Sequence, residues 1–337
     1  MWIAVSGVVA LLVLAGAIYQ RLGLARDARR FLPPGRFVDV DGGRLHVVCR
    51  GTGTPAVVFE SALATSSLSW IRVQDAAARF TTACAYDRAG FAWSDPASRR
   101  TTFARTVDGL EAVVASLSDA PCVLVGHSFG VFVCLEYARC HPGKVAGLVL
   151  VDPPSDWVAM DRGQRRMLRG GIVMSRLGEA LARVGVVRGC LALLMGGRPG
   201  ASRRLIKLLG PTTSRTLERI VGEVRKLPPE IYPVVQAMWC RPKCFAAMAD
   251  HLRMMIEAGA AVAGIDSLDD VPLVVISSGD QPPSVVEAHH ALAALSTRGR
   301  VVIAEKSGHW IPYDEPELIL EAIRGVHAGY HLPRRMP

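Results

Sequence analysis

The eight cysteines of this chain lack the spacing of a metal site. Cys240 and Cys244 are separated by three residues, but no second pair and no cluster of histidines lies near them in sequence. The sequence therefore predicts neither a metal nor a cofactor. Cys122 and Cys134 fall in segments that we expect to be buried, where free thiols are common, and this favours a reducing compartment.

Aromatic residues are also scarce, at 6% of the chain. This scarcity bears on residues 161–226, which carry thirteen arginines and two lysines against four acidic residues. Such a basic segment could bind nucleic acid, but no nucleic-acid motif and no series of stacking aromatic residues accompanies it. We therefore expect no nucleic-acid partner. Anionic lipid and an ordinary solvated surface remain as explanations of the arginines.

Charged residues make up only 20% of the chain, and its mean hydropathy of +0.27 is apolar for a soluble protein. An uncharged segment from Trp2 to Tyr19 would be about 27 Å long as a helix, close to the ~30 Å hydrocarbon core of a bilayer. Ala15-Gly16-Ala17 resembles a signal-peptide cleavage site, but no Lys or Arg precedes the apolar run. We therefore expect an uncleaved, single-pass transmembrane anchor at residues 1–20, with a cleaved signal peptide as the alternative.

A basic stretch follows the apolar segment. Arg21, Arg26, Arg29 and Arg30 face only one acidic residue, Asp27, in this part of the sequence. Positive residues beside a membrane span tend to stay on the cytoplasmic side. We therefore predict a basic linker at residues 21–35 and a folded domain in the cytoplasm.

The folded part alternates between predicted strands and helices. Arg36–Val40 and Arg44–Arg50 form a predicted antiparallel hairpin. Helical spacing from Leu68 to Phe80 lies between two later strands, so the sheet is expected to be parallel from there. The six further predicted strands are Ala56–Glu60, Thr82–Tyr86, Cys122–Gly126, Val145–Val151, Leu273–Ser277 and Arg300–Ala304. The sequence thus predicts an α/β fold with an eight-stranded, mostly parallel sheet flanked by helices.

Residues 153–270 interrupt this alternation. The interval is too long for a connection, and its helical stretches are broken by pairs such as Gly210-Pro211 and Pro228-Pro229. We interpret it as a helical cap inserted into a core of residues 36–152 and 271–330. Its apolar side chains are expected to line an apolar pocket; they are Met160, Met167, Met174, Leu191 to Met195, Met238 and Trp239.

The segment Gly126-His127-Ser128-Phe129-Gly130 joins a predicted buried strand to a helix through a Gly-x-Ser-x-Gly turn. A turn this tight projects the serine side chain clear of the backbone. The two glycines let strand and helix approach each other without a Cβ collision. Ser128 is therefore the candidate nucleophile.

A serine nucleophile needs a base, which is usually a histidine held by a carboxylate. His309 follows the last predicted strand, in a loop at the carboxyl end of the sheet where active-site loops gather. Asp280 lies just beyond the strand that ends at Ser277 and gives the chain order Ser, Asp, His. Asp152 follows another strand at the same edge of the sheet. Asp280 is the preferred acid and Asp152 is the alternative.

Together these features resemble the α/β-hydrolase superfamily, and within it the capped, esterase- and peptidase-like branch with a serine nucleophile. The similarity covers about residues 36–328 apart from the cap. Its segments are Gly126–Gly130, Tyr86–Asp95, Leu148–Asp152, Ser307–His309 and Asp314–Glu317. The resemblance implies the α/β-hydrolase fold and a structural, not catalytic, role for residues 87–95. Because the epoxide-hydrolase and haloalkane-dehalogenase branches use aspartate as nucleophile, Ser128 argues against both.

The chain departs from the family pattern at two positions. Members often carry His-Gly after the third strand to shape the oxyanion hole, whereas Glu60-Ser61-Ala62-Leu63 stands here. Because backbone amides are the donors, we expect those of Phe129 and Ala62 to hold the oxyanion. Ser277 replaces a glycine that often follows the seventh strand, but the spacing to Asp280 is preserved.

The sequence therefore predicts a membrane-tethered serine hydrolase that cleaves an ester, and less readily an amide, through an acyl-enzyme. The expected substrate is a small hydrophobic or lipid-like ester, and the basic cap is a second candidate membrane contact. The alternative is a catalytically silent protein of the same fold that binds a ligand or partner, because its oxyanion corner is altered. The pattern indicates neither the exact substrate nor an oligomeric state.

Overall fold

The computed structural model describes residues 2–155, 162–195 and 226–330. Its helices are α1 (Trp2–Arg30), α2 (Ile71–Ala77), α3 (Phe103–Ala115), α4 (Phe129–Cys140), α5 (Arg162–Arg183), α6 (Val186–Met195), α7 (Tyr232–Trp239), α8 (Pro242–Val262), α9 (Pro283–Ala293), α10 (Ile311–Asp314) and α11 (Pro316–Tyr330). Its strands are β1 (Arg36–Val40), β2 (Gly43–Arg50), β3 (Val57–Glu60), β4 (Ala83–Tyr86), β5 (Cys122–His127), β6 (Val145–Val151), β7 (Leu273–Ser278) and β8 (Gly299–Ala304).

The strands form one eight-stranded sheet in the order β1-β2-β4-β3-β5-β6-β7-β8. The pairs β1–β2 and β2–β4 are antiparallel and all the other pairs are parallel. This confirms the predicted fold class, and each strand end lies within one residue of its expected position. Because β3, β5, β6, β7 and β8 are parallel, the loops after their carboxyl ends meet at one edge of the sheet.

Helices cover both faces of the sheet. One apolar cluster joins α3, α4 and α8 to the sheet, with Leu110, Leu124 and Met254 among its buried members. The other joins α2 and α11 to the opposite face, through residues such as Val73 and Ile319. Each large side chain buried in this way contributes roughly 1.5–3 kcal/mol. The two layers hold the strand ends, and therefore the loops after them, in fixed positions.

The described cap consists of α5 to α8. Met238 is buried and, with Trp239, lines a small apolar cavity of about 50 Å³ against Phe91 and Tyr313. The sequence analysis expected Met167 and Met174 in such a pocket, but they are 64% and 62% exposed. They face outward because α5 turns a different face, with Leu168, Ser175 and Ala182, toward the protein. Leu193 is likewise 60% exposed, and Met160 lies outside the described residues.

The helix α1 is continuous through the expected anchor and on to Arg30, so most of the predicted linker is helical. The large apolar side chains between Val5 and Leu14 are 48% or more exposed. Residues Val5–Arg30 are the one candidate membrane span in the part of the chain that the structure describes. A signal sequence near the amino terminus can have the same length and apolar composition.

The carboxyl-terminal half of α1 docks on the cap through one face. Gln20 Nε2 donates to Cys240 O at 2.7 Å, and Asp27 pairs with Arg188 at 2.8 Å. A Cβ at Gly16 would lie 2.3 Å from Val184 O, so only glycine fits at this contact. Gly16, Gln20 and Asp27 recur at helical spacing on the same face. The apolar half of α1 therefore projects from a base that is fixed to the cap.

A disulfide joins Cys49 of β2 to Cys84 of β4. From sequence, Cys122 and Cys134 are expected to be buried free thiols, and both are buried and free. The pairing register sets Cys49 directly opposite Cys84, although 35 residues separate them in sequence. Disulfides are typical of oxidising compartments, so this bond favours a location opposite to the predicted cytoplasmic one.

Candidate active site

Ser128 lies between β5 and α4 in a strained backbone conformation. Its φ is 53° and its ψ is −118°, a region that non-glycine residues rarely adopt and that costs on the order of 1–3 kcal/mol. The Ser128 N–H donates to Val151 O at 2.9 Å, which fixes the turn to the end of β6. Among the described residues, Ser128 Oγ has no hydrogen-bond partner. The half-buried hydroxyl is therefore presented at the carboxyl edge of the sheet without competing contacts.

The two glycines of the turn are required by close packing. A Cβ at Gly126 would lie 2.8 Å from Gly130 O, and a Cβ at Gly130 would lie 2.6 Å from Glu60 O. Contacts this short between a Cβ and backbone atoms require the backbone to move. The first turn of α4 is thus packed directly against the corner that follows β3.

His309 is held by a buried carboxylate. Its Nδ1 lies 2.6 Å from Asp152 Oδ2, and the Asp152 side chain is fully buried while that of His309 is 34% exposed. Because the carboxylate only accepts, Nδ1 donates the hydrogen, and in the neutral ring the lone pair then lies on Nε2. This tautomer is the one that a general base for Ser128 requires.

Asp280, the acid preferred from sequence, contacts a different group. Its Oδ1 accepts from Ser278 Oγ at 2.8 Å, and its carboxyl lies against the backbone of Gly308. The ring of His309 instead turns to Asp152, the alternative acid. The physical reason is local: Asp152 directly follows β6, the neighbour of β5, whereas Asp280 lies two residues beyond the end of β7.

Three groups donate hydrogen bonds to the buried carboxylate of Asp152. Oδ1 accepts from the Ser278 N–H at 3.1 Å and from Gln281 Nε2 at 3.0 Å, while Oδ2 accepts from His309. Burial alone would raise the pKa of Asp152, but the hydrogen bonds from His309, Gln281 and Ser278 outweigh it and lower the pKa to about 2. Asp152 therefore stays ionised throughout the neutral range.

The depressed pKa of Asp152 predicts a pH-dependent stability. A carboxyl whose pKa falls from 3.8 to about 2 on folding stabilises the fold above pH 4, and this stabilisation is lost as the pH falls to 2. The difference is on the order of 2 kcal/mol. Between pH 5 and pH 2 the wild type should lose about that much more unfolding free energy than Asp152→Asn in denaturant titrations. Parallel curves for the two proteins would contradict this account of the carboxyl.

His127 supports the base through the backbone. Its ring lies 2.8 Å from His309 O, so Nε2–H donates to that carbonyl. Burial lowers the pKa of His127 to about 3, which keeps the ring neutral. Trp310 packs edge-on against the same ring, with ring centroids 5.5 Å apart. The sequence alone does not reveal this contact, because no local pattern links His127 to a loop 182 residues away.

Two backbone amides at this edge have no acceptor. Neither the Phe129 N–H nor the Ala62 N–H donates to another group in the described ranges. Phe129 begins α4, where the helix dipole adds partial positive charge. Ala62 is 2% exposed and follows β3, beside Gly130 and the turn that carries Ser128. Such amides can donate to a developing oxyanion.

Within residues 2–155, 162–195 and 226–330, no group of three or more His, Cys, Asp or Glu side chains is arranged to hold a metal ion. Cys240 and Cys244 are both buried free thiols. The arrangement of Ser128, His309 and Asp152 suits nucleophilic attack on a carbonyl carbon.

Comparison with known proteins supports the fold. Residues 55–170 match the family described as alpha/beta hydrolase fold. A segment of 65 residues is 42% identical to lipase LipV of Mycobacterium tuberculosis, but it spans 19% of this chain and only 24% of LipV. A longer match of 305 residues is 25% identical to the uncharacterized protein Rv2715 of M. tuberculosis and covers 88% of this chain and 82% of that protein.

Solved structures agree. An esterase from Thermogutta terrifontis superposes with a TM-score of 0.62 at 19% identity, covering 88% of this chain and 99% of the esterase. The epoxide hydrolase CorEH gives 0.60 at 18% identity, covering 87% and 98% of the two chains. At these identities the likeness shows the fold alone. The protein has the α/β-hydrolase fold.

Proposed function

We propose that this protein is a serine hydrolase that cleaves an ester, and less readily an amide, of a small hydrophobic substrate. The observation that carries the proposal is the His309 ring held at 2.6 Å by the buried Asp152, at the same edge of the sheet as the strained Ser128 turn. A strained serine and a histidine oriented by a carboxylate are the two parts that acyl transfer needs.

The proposed reaction uses Ser128 as nucleophile and His309 as base. Ser128 Oγ attacks the ester carbonyl while His309 Nε2 takes its proton, and Asp152 stabilises the imidazolium that forms. The Phe129 and Ala62 amides donate to the oxyanion of the tetrahedral intermediate. The imidazolium then protonates the departing alcohol, which leaves an acyl group on Ser128. A water molecule, deprotonated by His309, releases the acid and restores the serine.

Apolar surroundings support a hydrophobic substrate. The cavity between cap and core is lined by Phe91, Met238, Trp239 and Tyr313. The rings of Trp310 and Tyr313 stack in parallel at 5.4 Å beside the His309 loop. The similarity of one segment to a lipase points the same way. These features favour an acyl chain over a charged substrate.

A burst experiment tests the proposal. Purified full-length protein is mixed with p-nitrophenyl esters of acetate through decanoate. We expect an initial burst of p-nitrophenol close to one equivalent per protein, followed by turnover that depends on chain length. The alternative, a silent ligand-binding protein, is favoured only by the altered corner at Glu60 and predicts no burst with any ester.

We further propose that α1 anchors the protein in a membrane. The exposed apolar half of α1 and its base fixed to the cap support this proposal over a cleaved signal peptide, because cleavage after Ala17 would remove the Gly16 contact with Val184. The full-length protein should stay in the membrane pellet after carbonate extraction, whereas a form without residues 1–20 should be released. Release of the full-length protein would contradict the anchor.

Two exposed thiols report the orientation of this anchor. Cys140 and Cys190 are exposed and free, so a membrane-impermeant maleimide can reach them on one side only. The four arginines after the apolar segment favour the cytoplasm, while the Cys49–Cys84 disulfide favours the other side. We propose the cytoplasmic orientation that the arginines favour. The strand register places Cys49 beside Cys84 whether or not the two thiols are oxidised to a disulfide. Labelling should therefore need permeabilised cells. Labelling of intact cells, absent in C140S/C190S, would reverse the assignment.

A further inference from the structure

A buried arginine lies directly behind the oxyanion corner. Arg88 follows β4 and is only 4% exposed. Its Nη1 donates to Ser61 O at 2.6 Å and its Nη2 donates to Ala62 O at 2.5 Å. One guanidinium thus binds two successive carbonyls of the segment that follows β3. From the family resemblance, residues 87–95 are expected to have a structural role, and the sequence assigns no role to Arg88 itself.

The contact with Ser61 O fixes the direction of the Ala62 amide. The carbonyl of residue 61 and the N–H of residue 62 belong to one planar trans peptide and point in opposite directions. When Arg88 holds the carbonyl on one side, the N–H must point to the other side. The Ala62 N–H donates to no other group among the described residues. Arg88 therefore directs this donor away from its own guanidinium and leaves it available to a ligand.

Glu60 and Tyr86 hold Arg88 in place. Arg88 Nη1 also donates to Glu60 Oε1, and Tyr86 Oη donates to Glu60 Oε2. Glu60 is fully buried, so its carboxylate supplies the opposite charge that a buried guanidinium needs. The altered corner of this chain thus carries its own support, because Glu60, the first residue of the altered segment, is the partner of Arg88.

The same guanidinium also contacts the side chain of Phe129, whose backbone amide is the other proposed oxyanion donor. Arg88 Cζ lies 5.1 Å from the centroid of the Phe129 ring, a cation–π distance. The missing Cβ of Gly130 lets the first turn of α4 contact Glu60 O and Ser61 O. The Phe129 and Ala62 amides are therefore held in one rigid unit around Arg88.

We propose that Arg88, held by Glu60, is a positioning residue that orients the Ala62 N–H, and with it the oxyanion hole, for the transition state. This inference rests on the proposed hydrolase function. It predicts that Arg88 affects the chemical step and not substrate binding, because the carbonyl of a bound ester needs the oriented amide less than the oxyanion does.

The test measures kcat and KM for p-nitrophenyl butyrate, normalised to active sites counted by fluorophosphonate titration. Arg88→Met should lower kcat about 100-fold with KM within about 2-fold, since loss of one oxyanion donor costs 10²–10³. Arg88→Lys should lower kcat about 10-fold, because an ammonium cannot hold both carbonyls in a fork. The Ki of a trifluoromethyl ketone, which forms a tetrahedral adduct, should rise by the same factors.

Matched variants separate positioning from folding. Arg241 is another half-buried arginine that donates to a backbone carbonyl, that of Ala92 at 2.9 Å, so Arg241→Met should leave kcat per active site unchanged. Tyr86→Phe removes one hydrogen bond from Glu60 and so loosens Arg88 without removing it. It should lower kcat about 3- to 10-fold, and it keeps the test available where Arg88→Met does not fold.

An unchanged kcat per active site in both Arg88→Lys and Tyr86→Phe, with an unchanged ketone Ki, would overturn the positioning role while leaving the hydrolase function intact. Equal losses in the total rate and in the number of titrated sites, which leave kcat per active site unchanged, would also overturn it, since that pattern marks a structural role. A wild type with no burst and no titratable site would overturn both the proposed function and this inference.

Discussion

Replacing Ser128 with alanine is expected to lower kcat on model esters by about 10⁶-fold. The variant keeps a Cβ of the same size, so the strained turn at φ 53° should form as before. What is lost is the only atom that can carry the acyl group. The residual rate would come from substrate binding and the oxyanion amides acting on water. Stopped-flow measurement should show no burst of p-nitrophenol.

The matched control for this variant is Ser277→Ala. Ser277 is a buried serine at the end of β7, at the same edge of the sheet, and its Oγ has no partner within the described residues. Its replacement should leave burst and turnover within about 3-fold of wild type, since a buried hydroxyl without a partner contributes little. A Ser128→Ala protein that keeps the burst would remove Ser128 from the reaction.

Replacing Asp152 with asparagine is expected to lower kcat by about 10⁴-fold. The amide nitrogen of asparagine would donate to His309 Nδ1, which moves the ring hydrogen to Nε2. In that tautomer His309 cannot accept the Ser128 proton. The loss should appear in kcat with little change in KM, because Asp152 is fully buried and does not touch the substrate.

Asp280→Asn is the matched comparison for Asp152. Its carboxylate accepts from Ser278 Oγ and lies against Gly308, so we expect a loss of less than about 10-fold. Both substitutions replace a carboxylate with an isosteric amide near the His309 loop, and they differ in which one faces the ring. A 10⁴-fold loss in Asp280→Asn with an active Asp152→Asn would return the acid role to Asp280.

The positions of the candidate nucleophile Ser128 and the candidate base His309 could be predicted from sequence because local patterns indicate them. The segment from Gly126 to Gly130 is sufficient to predict its own turn. His309 follows a strand whose carboxyl end must lie at the carboxyl edge of the sheet. The acid could not be fixed in the same way. Asp152 and Asp280 follow neighbouring parallel strands, and only the path of the loop after β8 decides which one the His309 ring meets.

Contacts between distant segments were beyond the reach of the sequence. Arg88 meets Ser61 across 27 residues, and Gln20 meets Cys240 across 220 residues. The first contact makes Glu60 part of a buried ion pair, and the second joins α1 to the end of α7. In both cases the residue type alone does not predict the contact. The strand order brings Arg88 to Ser61, and the docking of α1 brings Gln20 to Cys240.

Mapping the site of covalent modification tests the central claim most directly. The full-length protein is treated with a fluorophosphonate at neutral pH, digested and analysed by tandem mass spectrometry. The account predicts a single phosphonyl adduct on Ser128, formed in the wild type, slowed in Asp152→Asn and absent in Ser128→Ala. An unmodified Ser128 peptide, or an adduct on another residue that persists in Ser128→Ala, would contradict the account.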